Sequence, residues 1–111
     1  MVVYMNDKND TPPGVKWDAG KPDYSLLPWG ALEEVVRVLT YGAGKYSRDN
    51  WRRVPQFRDR YLAASMRHTS SWARGEKRDP ESGLPHLAHS IVSLMYLLQS
   101  ELEENNDGGI G

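Results

Sequence analysis

Two histidines three positions apart, His86 and His89, head the most apolar stretch of the chain, directly after the acidic, Gly- and Pro-punctuated loop "GEKRDPESG". Spacing i, i+3 puts both rings on one helix face, which suits shared ligation of a cation, ligation by one ring, or hydrogen bonding to a phosphate. The plain structural alternative is a pair of first-turn histidines bonded to loop carboxylates or to a neighbouring helix, because an HxxH pair is less specific than HExxH, which carries its own base. Ser90 and Ser93 share that face. Four polar residues are expensive to bury against hydrocarbon, so the face reads as a polar site. Asp79, Glu76 and Glu81 flank the helix entry. Acids there are most often solvated or capping groups, with Ser82 the expected cap, yet an oxygen ligand from Asp79 would admit hard Mg²⁺ or Mn²⁺.

A second constellation is the carboxylate pair Glu33-Glu34. Adjacent helical residues point about 100° apart, so one binds metal while the other supports it or faces water. The alternative is an acidic first turn stabilised by the helix dipole. The segment "KYSRDNW" places a cation (Lys45), an amide (Asn50) and a stacking ring (Trp51) close together. A nucleotide needs partners of those three kinds for its phosphates, base edge and base face, although the same set also suffices to pin a loop. Arg60, Arg67 and Arg74 recur every seven residues and either hold phosphates bidentately or form a solvated, ion-paired face. His68 lies in an aromatic stripe with Tyr61 and Trp72 and reads as a satisfied core histidine.

Three helices must position these groups. Periodicity predicts the first over Trp29 to Tyr46, with Leu32, Val35, Val36, Leu39, Ala43 and Tyr46 as its core stripe and Glu34, Val38, Tyr41 and Lys45 opposite. Gly42 and Gly44 weaken its last turns and favour an end near Tyr41. The second helix is predicted over Phe57 to Arg74, stopped by Gly75, with two apolar faces that mark it as an interior or interface helix. The third is predicted from Leu84 to Glu103, with Leu87, Ile91, Leu94, Met95, Leu98 and Leu102 as its apolar stripe. No strand-period segment competes, so the fold class is all-α: a bundle of three main helices with an irregular N-terminal arm over Asn6 to Pro28, completed by oligomerisation. Residues 1–111 read as a single domain, with 1–13 and 104–111 flexible.

Composition narrows the function. A chain of 111 residues is small for a self-sufficient core. Fourteen Lys+Arg balance fifteen Asp+Glu, so nothing in the overall charge draws the protein to nucleic acid or anionic lipid. There is no cysteine, which excludes disulfides and thiolate metal sites. No run approaches the roughly 18 apolar residues of a membrane span, and the polar first ten residues do not make a secretory segment; the expectation is a cytoplasmic protein.

The ordered series "KPDYSLLP", "LEEV", "YGAGKY", "NW", "RH", "RGE" and "DPESGLPHLAH" resembles the phage dATP/dGTP diphosphohydrolase family, the MazZ-like branch of the MazG-type all-α NTP pyrophosphatases, over about residues 14 to 100. The resemblance implies a helical bundle, dimeric or larger, that uses Mg²⁺ or Mn²⁺ to cleave a nucleoside triphosphate between its α and β phosphates. The implied substrate is dGTP, with dATP second, and the implied role is supply of dGMP for phage 2-aminoadenine DNA in the host cytoplasm. Carried onto this sequence, the family's first acidic motif falls at Glu34, with Arg37 where the second carboxylate belongs and Glu33 as its substitute. The second acidic motif aligns with His86 and His89. The implied metal set is Glu34, Glu33, Asp79 and His86, with Glu33 and Glu34 catalytic. For such chemistry Lys21, Lys45, Arg67 and His89 are the candidate phosphate contacts, and Asn50 and Trp51 the candidate base contacts. The rival from another class is a non-catalytic helical adaptor or nucleotide-binding protein; an HD-type phosphohydrolase is disfavoured because no adjacent His-Asp pair exists in the chain.

Overall fold

Proline at position 28 cannot donate a backbone hydrogen bond, and its carbonyl accepts from Leu32 N at 3.0 Å, so the irregular arm ends there and helix α1 begins. The computed structural model describes residues 12–106. Within them α1 spans Trp29–Lys45, α2 spans Phe57–Ala73 and α3 spans His86–Asn106, with short 3₁₀ turns at Tyr24–Leu26 and Asn50–Arg53. The only β pairing among the described residues is one isolated bridge between Arg78 and Pro85. The fold is therefore an all-α arrangement, as periodicity predicts. Residues 1–11 of the expected flexible N-terminal stretch and 107–111 of the C-terminal one lie outside the described residues.

Glycines 42 and 44 do not end α1 early. The helix continues to Lys45, whose ammonium sits in the last turn, where it complements the helix dipole. The α2 terminus is a Schellman turn: Glu76 N bonds Ser71 O at 3.0 Å and Gly75 N bonds Trp72 O at 2.9 Å. Gly75 takes φ 103° there, a conformation that side chains resist. The reversed chain then makes a tight loop in which Asp79 N bonds Leu84 O at 2.8 Å and His86 N bonds Lys77 O at 2.9 Å. Those two bonds set the start of α3 at His86, two residues later than the apolar pattern suggests. Its far end runs on to Asn106, beyond the predicted Glu103.

Packing differs from the predicted stripes. The buried apolar residues are Val35, Val38, Ala88 and Val92, flanked by Leu39, Leu84 and Tyr96. Val38, assigned by sequence to the outer face of α1, is 5% exposed, whereas Val36 of the predicted core stripe is 48% exposed. Both faces of α1 carry valines, and the choice between them falls to the small residues Ala88 and Val92 that α3 offers. On α3 the correction is larger. Leu87, Ile91, Leu94, Met95, Leu98 and Leu102 are each 41–56% exposed, while His86, Ser90 and Ser93 are buried. Polar side chains can hold this interface because they find partners: Ser90 Oγ donates to Ser65 O at 2.8 Å and pairs with Thr69 Oγ1 at 2.8 Å. Every buried side-chain polar atom among the described residues has a hydrogen-bond partner, which removes the main cost of polar burial.

Candidate metal and nucleotide site

His86, from the first turn of α3, is 3% exposed. Its Nε2 lies 2.7 Å from Glu76 Oε1 and its Nδ1 lies 2.8 Å from His68 Nδ1. A carboxylate only accepts, so in the neutral ring Nε2 carries the proton and the Nδ1 lone pair faces His68. The Schellman turn at Gly75 is what delivers Glu76 to this position.

His68, on α2, stacks on His89 with ring centroids 4.5 Å apart and planes 11° from parallel. It is no plain core histidine of the aromatic stripe, as sequence suggests; it stands in a three-imidazole cluster. Periodicity placed it correctly on the inner face of α2, but which residues of α3 it meets is a tertiary fact. Burial depresses the basicity of His68, with repulsion from His89 adding to it and Asp79 opposing. Burial likewise lowers His89, with Asp79 opposing. Both rings therefore keep lone pairs available near neutrality.

Asp79 is fixed by its own loop. Its Oδ2 accepts from Ser82 N at 3.0 Å. Burial pushes its carboxyl upward, but the hydrogen bonds from Ser82 and the neighbouring His89 and His68 outweigh this and leave it below the usual aspartate value. Ser82 does not cap α3 in the expected manner. Its hydroxyl accepts from Leu84 N at 3.1 Å and pairs with His89 Nε2 at 2.7 Å, so it braces both the loop and the ring.

One donor atom each from His68, Asp79 and His86 falls within 4.8 Å of the others. Two nitrogens and one ionised oxygen, with Glu76 behind His86, fit a divalent cation: the imidazoles offer lone pairs and the outer carboxylate orients one of them. Such a mixed set suits Mn²⁺ better than Mg²⁺, which prefers oxygen.

The group sits against a cleft of about 710 Å³. Of the residues singled out in sequence, Lys45, Asn50, Trp51, Arg67, Asp79 and His89 line this cleft. Lys45 bonds Glu81, which also accepts from Tyr41 Oη at 2.7 Å, so the α1 end is tied to the 79–85 loop at the rim. The Glu81 contact raises the Lys45 ammonium above the ordinary lysine value, and the Lys45 contact lowers Glu81. Trp51 is stacked on Tyr96, centroids 4.4 Å apart and planes 7° from parallel, and Arg52 lies over its ring at 4.4 Å. That ring surface is already used within the protein. Tyr46 and Tyr61 also line the cleft; the first is 62% exposed.

The α1 carboxylates are placed differently. Glu33 bonds Arg37 at 2.7 Å and Glu34 lies 3.6 Å from Arg37 Nε. Neither belongs to the His68–Asp79–His86 group or lines the cleft. Lys21 is exposed in the arm, where its backbone N–H bonds Asp18 O at 3.1 Å. Sequence reasoning missed Glu76 and His68 as site residues. The signal was present in "RH" and "RGE", in which His68 stands on α2 and Glu76, eight residues on, follows the glycine that stops that helix.

A "dATP/dGTP diphosphohydrolase" of Salmonella phage PMBT28 is 39% identical over 84 residues, which cover 76% of this chain and 28% of that protein. The chain thus spans less than a third of the length of the curated relative it matches. No solved structure matches it. The family model described as "dATP/dGTP diphosphohydrolase, N-terminal" matches residues 11–108, and the chain belongs to that family.

Proposed function

We propose that this chain binds a purine deoxynucleoside triphosphate together with a divalent cation and hydrolyses it between the α and β phosphates, releasing the monophosphate and pyrophosphate. The observation that carries this reading is the convergence of His68, Asp79 and His86 beside a cleft that also holds Lys45 and Arg67. The cation, Mn²⁺ or Mg²⁺, supplies neutralisation of triphosphate charge and acidification of water. Lys45 and Arg67 hold phosphate oxygens, with Lys45 exchanging Glu81 for the substrate; His89, braced by Ser82, adds a ring N–H. Water bonds to the α phosphorus as the bond to the α–β bridging oxygen breaks and pyrophosphate leaves. Glu34, the less exposed of the α1 pair, enters the cleft of a neighbouring copy, where it orients that water and takes its proton, and Glu33 holds Arg37. dGTP is the favoured substrate and dGMP supply for phage 2-aminoadenine DNA the favoured role.

The active form is a homo-oligomer: the exposed leucine stripe of α3 is the surface a second copy covers, and that copy is also a route by which α1 carboxylates reach a neighbouring cleft. The test is incubation of each dNTP with the protein and Mn²⁺ or Mg²⁺, followed by separation of phosphate products. Conversion of dGTP to dGMP and pyrophosphate that EDTA abolishes is the expected result. Absence of Glu33 and Glu34 from the metal group favours one second reading, a nucleotide-binding module without turnover; it predicts dGTP binding with no pyrophosphate released.

A further inference from the structure

Arg67 lines not only the metal cleft but also a second cavity of about 800 Å³, and the two share Tyr46, Asn50 and Tyr61 as well. Beyond that shared wall their chemistry diverges. The first cavity carries His68, His89, Asp79 and Lys45; the second adds Gln56, Asp59, Arg60 and a hydrocarbon floor of Val54, Ala63 and Ala64. The hydrocarbon floor and the carboxylate acceptor of Asp59 suit the base end of a nucleotide. Its volume is in the range of small-ligand pockets.

Of the chamber's polar groups, Arg60 donates to Pro55 O at 3.4 Å and Lys45 holds one side of the Tyr46 ring at 5.2 Å, while others are open. The side chains of Asp59 and Arg67 make no hydrogen bond or ion pair with any described residue, and Gln56 makes no capping bond to α2. Gln56 is the only described non-glycine residue with positive φ, at 55°. A side chain held in that sparsely populated region points to a local constraint worth explaining by function. Here it starts α2 so that Asp59 and Arg67, eight residues apart, face the same run of cavity.

We propose that this second chamber is the base subsite, with Tyr46 as the stacking platform and Asp59 as the residue that selects guanine. The proposal rests on the nucleotide reading above and names its specificity determinant. Guanine presents two adjacent donors on its Watson–Crick edge, N1–H and the N2 amino group, and a carboxylate accepts both side by side. Adenine presents one donor and, at N1, a lone pair that faces the carboxylate unfavourably. Hypoxanthine keeps N1–H but lacks the N2 amino group, so it ranks between them. Arg67 then stands between base and triphosphate.

The test compares the protein with Asp59→Asn and Tyr46→Ala, using dGTP, dITP and dATP with Mn²⁺. In the unmodified protein kcat/KM is expected to fall in the order dGTP, dITP, dATP. Asp59→Asn should cut the dGTP-to-dATP ratio about 10- to 100-fold, the range for hydrogen bonds to a charged group, chiefly through KM. Tyr46→Ala should raise KM for all three and leave the ratio in place. A ratio unchanged in Asp59→Asn overturns the subsite. If no dNTP is turned over, the hydrolase reading fails by itself, and metal-free titration with dGMP and dAMP still decides the chamber. Tighter dGMP binding that Asp59→Asn removes supports it; equal binding of the two overturns it.

Discussion

Glu76 illustrates how much one residue outside the candidate ligands contributes. Its carboxylate 2.7 Å from His86 Nε2 settles which nitrogen of a buried ring is free. Glu76→Gln is therefore expected to weaken Mn²⁺ binding about 10- to 100-fold, as loss of an outer-shell partner does, with little change in fold because Glu76 is half exposed. Isothermal titration with Mn²⁺ measures this; an unchanged affinity would remove Glu76 from the site. Glu34→Gln tests the α1 carboxylate separately, with kcat expected to drop at least about tenfold and Mn²⁺ affinity to hold. The histidines make a pH prediction. His68 and His89 have folded-state values below the ordinary 6.5, so as pH falls past about 6.5 the unfolded chain takes up protons before the native one does. Metal-free protein should hold a constant melting temperature above pH 7.5 and lose stability progressively below 6.5, and His68→Asn should flatten that loss. Of these residues, His86, His89 and Asp79 were legible from spacing. His68 was not, because a histidine on an aromatic stripe has the same periodicity whether it meets leucines or two more imidazoles.

At the scale of elements, the α2–α3 connection does most to build the site. The turn at Gly75 brings Glu76 to His86, and the 79–85 loop holds Asp79 through Ser82 N. A Cβ at Gly75 would meet no atom within 4 Å, so Gly75→Ala introduces only the backbone strain of φ 103°. The expected effect is a destabilisation of about 1 kcal/mol or somewhat more, read from urea unfolding, together with weaker Mn²⁺ binding as Glu76 shifts. Wild-type stability in that variant would show that the turn is not held in the left-handed region. Helix existence was legible at this scale, since periodicity and the proline and glycine boundaries agree with α1, α2 and α3 to within a few residues. Which face each helix buries was not. α1 and α3 each carry apolar residues on more than one face, and a single-chain pattern cannot say which face meets a helix of the same chain.

For the whole molecule, the described residues bury only four hydrophobic side chains below a tenth of their surface, none of them large, while α3 leaves a row of leucines open. A chain of this size gains little from such a core, and the homo-oligomer proposed above would cover the remaining apolar surface. Leu94→Glu combined with Leu98→Glu is expected to shift the protein toward monomer in analytical ultracentrifugation and to lower its melting temperature. An unchanged sedimentation coefficient would place the assembly surface elsewhere. The half-exposed Val36 on α1 and Met66 on α2 are further apolar surface that one chain leaves open.

By itself the sequence determined the all-α class, the positions of the three helices, the absence of cysteine chemistry and the polar head of α3, because each follows from residue type and spacing along the chain. Only the tertiary structure decided that His68 joins Asp79 and His86, that Glu76 stands behind them, that Glu33 and Glu34 pair with Arg37, and that the leucine stripe of α3 faces outward. The reason is physical: periodicity reports what lies on one face of one helix. The identity of the surface across from it depends on the crossing of helices and the course of the loops, and those are set by packing between residues far apart in the chain.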